Sequence, residues 1–507
     1  MIRLISHRKT FRTLAIACAT LLVGLAGLTG AVSPASAAAP TISGYVQGAS
    51  PFIAMVRVTN VPLSKVSNVS FGVQARPGTV SQAIGANYTL SYLTAHNYVD
   101  APNSAVTVPV YGLYDGFANT VSLRLTGPRS YSQNLTATVT TTTWVAASRP
   151  GYADPQYSDR QAIVPRDANI KLGYSFFMLK TWTSGATPVV MDTDGYVRWV
   201  GTDGNGDIGS TFVGNDFYVG AGNKMRRIGL DGVVTTAADL SATSFFNFHH
   251  NVDPGRDGLL LELDRADRIE SDIIEVNLQG RILRKWDMVK IFADAMVAGG
   301  DNPAGFVDIS KDWFHNNSST YWKAKDQLVI SSRENFVAGV DYNTGKLKWL
   351  LGDPNKLWHQ YSSLAALALT VPAGGTYPIG QHALSFTTDG QLMLFDNGLS
   401  SWWHSPAGDD HSGAAKPRRY KLDLRAKTAT ETWSFTHAGD IYSPICSSVY
   451  QSGASYLIDY ASDNWGQVRL VGIDSADRVA FEYVIPGADQ TRGWNALPIH
   501  IEALSYK

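Results

Sequence analysis

Val340-Asp-Tyr-Asn-Thr-Gly-Lys-Leu-Lys-Trp349 joins two apolar runs through an acidic turn that carries a glycine. Such a segment reads as a β-hairpin, because glycine or asparagine takes the positive φ that a tight reversal demands. The pattern recurs at Met191-Asp-Thr-Asp-Gly-Tyr-Val-Arg-Trp199, at Ile228-Gly-Leu-Asp-Gly-Val-Val234, and at Val276-Asn-Leu-Gln-Gly-Arg-Ile-Leu-Arg-Lys-Trp286. Degenerate copies run from Leu422 to Trp433 and from Val471 to Val479. Copies spaced about 40 to 80 residues apart are the spacing of propeller blades with insertions. The expectation is an all-β chain with a six-bladed β-propeller over residues 168–507. The longest insertions fall around 287–310 and 355–380, where long connections would build a channel mouth.

Working outward, residues 41–147 have a different texture. Pro62, Pro77, Pro102, Pro109 and Pro128 punctuate short runs of Val, Thr, Ser and Tyr. Val121–Thr126 and Leu135–Thr143 alternate with period two, so a small N-terminal β-sandwich is expected there. A Pro-, Asp- and Tyr-rich stretch, 148–167, reads as a linker. Residues 1–37 read as a secretory signal peptide. Arg3, Arg8, Lys9 and Arg12 form its basic head, 14–30 is apolar, and Ala35-Ser-Ala37 ends it. The mature chain is then expected to be secreted, periplasmic or extracellular, with no membrane anchor. Cys18 leaves with that segment and Cys446 remains as a single thiol, so no internal disulfide is expected.

With 42 Lys+Arg against 43 Asp+Glu, bulk charge gives no case for a nucleic-acid partner. Chemistry must come from local sets of residues. The stretch from Asp312 holds His315, Asn317 and, after one strand, Arg333, a set that can hold a small anion. His382 heads another strand. His249-His250 form a second candidate; on a regular strand the two rings point to opposite faces, so one of them is expected to enter the channel. His404 and His411 lie in a polar loop, and His96, His359, His437 and His500 lack a constellation; all six are read as structural. Metal binding is a weaker reading. No HExxH is present, no carboxylate stands at ligand spacing to the histidines, and Arg333 would oppose a cation. Gly339 and Gly345-Lys346 suggest a phosphate loop, but the gap is one residue too long and Leu347 stands where Ser or Thr belongs.

Taken together, Asp312-Trp313-x-His315-x-Asn317-Ser318, Ser331-Ser332-Arg333, Lys348-Trp349-x-x-Gly352, Gln381-His382-Ala383 and Phe395-Asp396-Asn397-Gly398 resemble the bacterial arylsulfate sulfotransferase family from about Gly173 onward. The resemblance implies a secreted six-bladed propeller that moves a sulfuryl group between phenols without a nucleotide or other cofactor. Its small-molecule partners would be an aryl sulfate donor and a phenolic acceptor, and it is compatible with a homodimer. His382 falls on the transient carrier, a nucleophile that makes the transfer ping-pong. His315, Asn317 and Arg333 fall on the sulfate-binding positions, and His250, preceded by His249, on an upstream pair. His315 or His250 would move the proton. Asn251 stands where an acidic residue is expected. Among Ser443, Ser447 and Ser448, Ser447 is preferred as a hydroxyl contact, and no metal is implied. After Gly398 the run Leu-Ser-Ser-Trp-Trp departs from the family's charged continuation. Two other readings stay open: a non-catalytic propeller that binds ligands through its channel, and a metal-dependent propeller hydrolase.

Overall fold

Each of the six hairpins supplies the third and fourth strands of its own antiparallel sheet. The computed structural model describes residues 38–146, 157–181, 187–203, 209–486 and 493–507. The expected signal peptide and part of the expected linker lie outside the described residues. Four hairpins turn on glycine at positive φ: Gly195, Gly232, Gly280 and Gly345. The two degenerate ones place Lys427 (φ 52°) and Asp477 (φ 58°) there instead, which is why their pattern is faint in the sequence.

The first strands of successive sheets are Ser210–Val213, Phe245–Pro254, Asn316–Trp322, His382–Phe386 and Ser448–Ser452. These contact one another in turn, and the last contacts Asn495–Ile499. Asn495–Ile499 pairs antiparallel with Phe176–Lys180, so a strand from near the C-terminus completes the sheet built by 176–200. The fold is therefore all-β with sheets in propeller-like succession.

Residues 41–140 form two further sheets whose apolar faces share one core, including Val56, Val69, Phe71, Val108 and Leu123. That core continues into Phe176, Trp199 and Ile228 of the first two hairpin sheets. Two strands cross the expected segment boundaries. Gln161–Val164, inside the stretch read as a linker, pairs with Glu482–Val484, and Leu504–Tyr506 joins the N-terminal sheet parallel to Ile84–Thr89. Arg198 fastens the same junction from within. It is fully buried, donates from Nε (3.1 Å) and Nη2 (2.6 Å) to the Gly112 carbonyl and from Nη1 to Asp192 (3.1 Å), and lies 3.7 Å over the Tyr114 ring.

The 287–310 insertion contains the helix Met288–Ala298, capped by Asp287, whose side chain accepts the Lys290 N–H at 3.0 Å. Its buried residues Met288, Phe292 and Met296 recur every four positions, on one face. Phe292 packs against Trp313, Phe314 and Phe336 at 6.0, 5.4 and 5.2 Å between ring centres. Burial of each such ring stabilises by about 1.5–3 kcal/mol. This insertion therefore braces the chain on both sides of His315 and Arg333.

Candidate active site

Regular strands alternate their side chains, yet the candidate residues converge at irregular places on the first strands. The pairing register shifts between Phe248 and Val252, between Asn316 and Ser318, and between His382 and Ser385. Bulges of this kind re-aim side chains. Beside them His250, His315, Ala383, Cys446 and Ser447 hold φ of 41°, 49°, 54°, 57° and 77°. For residues with a Cβ each such conformation costs about 1–3 kcal/mol and persists only when its surroundings enforce it.

The sequence expectation for the histidine pair is corrected here. His249 and His250 do not diverge to opposite faces; the left-handed backbone at His250 turns their Nδ1 atoms to within 3.0 Å. The His250 ring lies 4.9 Å from that of His315, 6.4 Å from that of His382 and 5.2 Å from that of Trp494. Three histidines from three sheets thus share one centre.

His382 is buried, and its Nδ1 sits 2.8 Å from Asn397 Oδ1 and 3.0 Å from the Gly380 carbonyl oxygen. Both neighbours are acceptors, so Nδ1 carries the hydrogen and Nε2 the lone pair. Nε2 accepts the Cys446 backbone N–H at 3.2 Å. Burial, reinforced by the positive charge of Arg333, holds His382 down to about 3, so its imidazole is neutral. Asn397 is fixed in turn by donating to the Ser443 and Cys446 carbonyls at 2.7 and 3.0 Å.

His315 has the opposite charge state. Its Nδ1 lies 2.8 Å from Glu270 Oε2 and also contacts the Asp312 carboxylate. Burial disfavours its imidazolium, but Glu270 and then Asp312 outweigh burial and push His315 up to about 10. Burial likewise raises Glu270, but His315 and His250 overcome this and hold it below the usual carboxylate range. His250, whose Nδ1 is 3.9 Å from Glu270 Oε1, is held well below its ordinary value by burial, with Glu270 opposing. One centre therefore holds one charged and two neutral imidazoles.

Arg333 is 1% exposed. Its Nη1 pairs with Glu334 and its guanidinium carbon lies 3.5 Å from the Trp402 ring centre, while among the described residues Nε and Nη2 have no hydrogen-bond partner. Two unpaired donors on a buried cation could take an anion. Asn317 donates from Nδ2 to the Gln381 carbonyl at 2.9 Å, leaving its second N–H for another acceptor and anchoring the chain just before His382. Ser447 Oγ is engaged locally, 2.9 Å from Ser443 Oγ and accepting the Ala461 N–H at 3.1 Å, so it braces the turn that presents the Cys446 N–H.

Carboxylates reach the histidines in space, although none is expected from ligand spacing in the sequence. Glu270, from the strand Arg268–Val276, and Asp312 both reach them. Two sets, His249–His250–Glu270 and Glu270–Asp312–His315, place ligand-type atoms within 4.8 Å of one another, and either could hold a metal ion. Asn251 does not take the role expected of an acidic residue. Its Oδ1 accepts from Lys180 Nζ and its Nδ2 donates to the Asn317 carbonyl, both at 2.8 Å, tying three sheets together. Glu270 faces His250 instead, and no local signal in the sequence marks it. A cavity of about 930 Å³ opens elsewhere, between the helix Met288–Ala298 and the 342–347 hairpin. It contains none of these histidines.

Comparison with known proteins places the site in context. The arylsulfotransferase family model matches residues 159–491. The chain is 22% identical to the arylsulfate sulfotransferase AssT of Lelliottia amnigena, covering 97% of this chain and 98% of that protein. It is 24% identical to the arylsulfate sulfotransferase AssT of Escherichia coli O6:H1 over 40% of this chain and 41% of that one. Among solved structures, a gluconolactonase from Xanthomonas campestris aligns with 68% of this chain and 99% of its own, at 11% identity and a TM-score of 0.33.

Proposed function

The chain belongs to the arylsulfotransferase family, and on that premise we propose that it moves a sulfuryl group from an aryl sulfate ester to a phenolic acceptor through a sulfohistidine on His382. The observation that carries this reading is the state of His382: neutral, with Nδ1–H fixed by Asn397 and Gly380 and the lone pair on Nε2. A buried neutral imidazole in a fixed tautomer is a competent nucleophile.

In the first half-reaction Nε2 attacks sulfur, the S–O(aryl) bond breaks, and the departing phenolate takes a proton from His315. The His382 ring becomes an N-sulfoimidazolium whose Nδ1–H is already held by two acceptors. In the second, neutral His315 takes the acceptor's phenolic proton, the phenolate oxygen attacks sulfur, and the N–S bond breaks to return His382. A loose transition state spreads charge over the non-bridging oxygens, as in phosphoryl transfer. Arg333 Nε and Nη2, the second Asn317 N–H and the Cys446 N–H are the donors that would meet that charge. His250, neutral beside Glu270, assists at the acceptor side, and His249 holds its ring.

The same premise supports a six-bladed reading of the hairpin sheets, an N-terminal sandwich for the first two sheets, and secretion directed by residues 1–37. A second reading, metal-assisted hydrolysis, draws on the two His–carboxylate sets. Intact-mass analysis after a donor-only pulse tests the first. Wild type should gain one sulfuryl group and His382→Asn none, with transfer abolished. Full activity in His382→Asn would end the nucleophile assignment. Release of phenol from a chromogenic aryl sulfate that needs no acceptor would favour hydrolysis.

A further inference from the structure

We infer that Trp402 is the face against which the aryl group of the donor packs, and so a residue that sets donor affinity in this chain. The inference rests on the sulfotransferase reading above and names a residue that would contact the aryl group at that same site.

Trp402 is 56% exposed and the neighbouring Trp403 48%, yet the backbone that carries them is held. Glu334 organises it. One carboxylate oxygen takes Arg333 Nη1, while the other accepts the Ser401 hydroxyl and the backbone N–H groups of Trp402 at 2.7 Å and Trp403 at 3.2 Å. One buried carboxylate thus sets both the guanidinium and the backbone that carries the indole. The rest of the 399–410 loop is tied down as well. The Ser401 N–H donates to the Ala407 carbonyl at 2.9 Å, the Leu357 N–H to the Pro406 carbonyl at 3.0 Å, and the Asp409 N–H to Asp353 at 2.8 Å. A held, exposed aromatic beside an anion site is a ready-made platform.

The geometry divides the labour. Trp402 covers the π-face of Arg333, leaving the buried in-plane Nε and Nη2 as the donors without a partner among the described residues. A sulfate bound in that plane carries its ester substituent beside the indole. A flat ring stacks there; an alkyl chain gains much less.

Binding of naphthalene-2-sulfonate, methanesulfonate and inorganic sulfate to wild type, Trp402→Ala and Trp402→Phe tests this by calorimetry, because the C–S bond of the sulfonates cannot be transferred. Trp402→Ala should weaken naphthalene-2-sulfonate about 3- to 10-fold, leave methanesulfonate and inorganic sulfate within about twofold, and be largely rescued by Trp402→Phe. With 2-naphthyl sulfate as donor, KM should rise by the same factor and kcat should hold. Equal naphthalene-2-sulfonate affinity in wild type and Trp402→Ala overturns the inference. So does an equal loss for all three anions, which would mean that Trp402 only holds Arg333. Absence of transfer by wild type would overturn the sulfotransferase reading alone, since the binding comparison does not depend on turnover.

Discussion

Glu270→Gln isolates the charge that keeps His315 protonated. The substitution preserves shape and one acceptor oxygen and removes the charge 2.8 Å from His315 Nδ1. The folded value of His315 is raised, to about 10, so the imidazolium and its ion pair are intact at neutral pH and are lost as pH rises through that value. One opposite charge at hydrogen-bond distance moves a pKa by about 1–3 units. Asp312 remains in the variant, while burial pulls downward with less opposition. A fall of about two units would put His315 near 8. At pH 9 the imidazolium fraction would then drop from about nine-tenths to about one-tenth, a roughly tenfold loss of general acid, or about 1.4 kcal/mol. The assay is kcat against pH for two donors. Phenyl sulfate, whose phenolate needs the proton, should show an alkaline limb displaced to lower pH. Four-nitrophenyl sulfate, whose phenolate leaves unaided, should be nearly insensitive. An unmoved alkaline limb, or an equal loss for both donors, would refute His315 as the acid held by Glu270.

Arg333→Lys keeps a positive charge but loses the in-plane donors and the stack on Trp402; kcat/KM should fall about 10²- to 10³-fold, and an unchanged value would place the anion site elsewhere. Dialysis against a chelator should leave acceptor-dependent transfer intact; loss of activity restored by zinc would instead assign a working metal to His249, His250 and Glu270. Arg198→Ala should destabilise the fold by about 3–5 kcal/mol in denaturant unfolding. It strands Asp192, whose carboxyl burial already pushes up to about 6, and frees the Gly112 carbonyl; a change below about 1 kcal/mol would show that the junction does not depend on this pair.

The hairpins were legible because their information is local. A glycine turn at positive φ between apolar runs specifies two strands without reference to the rest of the chain. Pairings that depend on distant partners left no such mark. Gln161–Val164 looks like a linker because its proline- and aspartate-rich flanks read as turns, and its partner strand lies more than 300 residues away. Leu504–Tyr506 is too short to show a period, and only its docking beside Ile84–Thr89 makes it a strand.

The site divides along the same line. His315, Asn317, Arg333 and His382 could be named because their spacing resembles a family pattern, but the charges they carry depend on partners that spacing cannot reveal. Glu270 is the clearest case. It reaches His315 from another sheet, on a strand whose pairing shifts register after Leu263, and its own backbone is left-handed at φ 48°. A reader of strand patterns assigns such a residue to a face by counting in twos, and the count fails where the backbone is irregular. His249 and His250 fail the same count. The irregular positions, His250, Glu270, His315, Ala383 and Cys446, gather around the histidine centre that includes His382, and none of them is glycine. Regular strands would send adjacent histidines apart and leave His315 without its carboxylates. The strain that hides these residues from sequence reading is therefore the same strain that lets them meet.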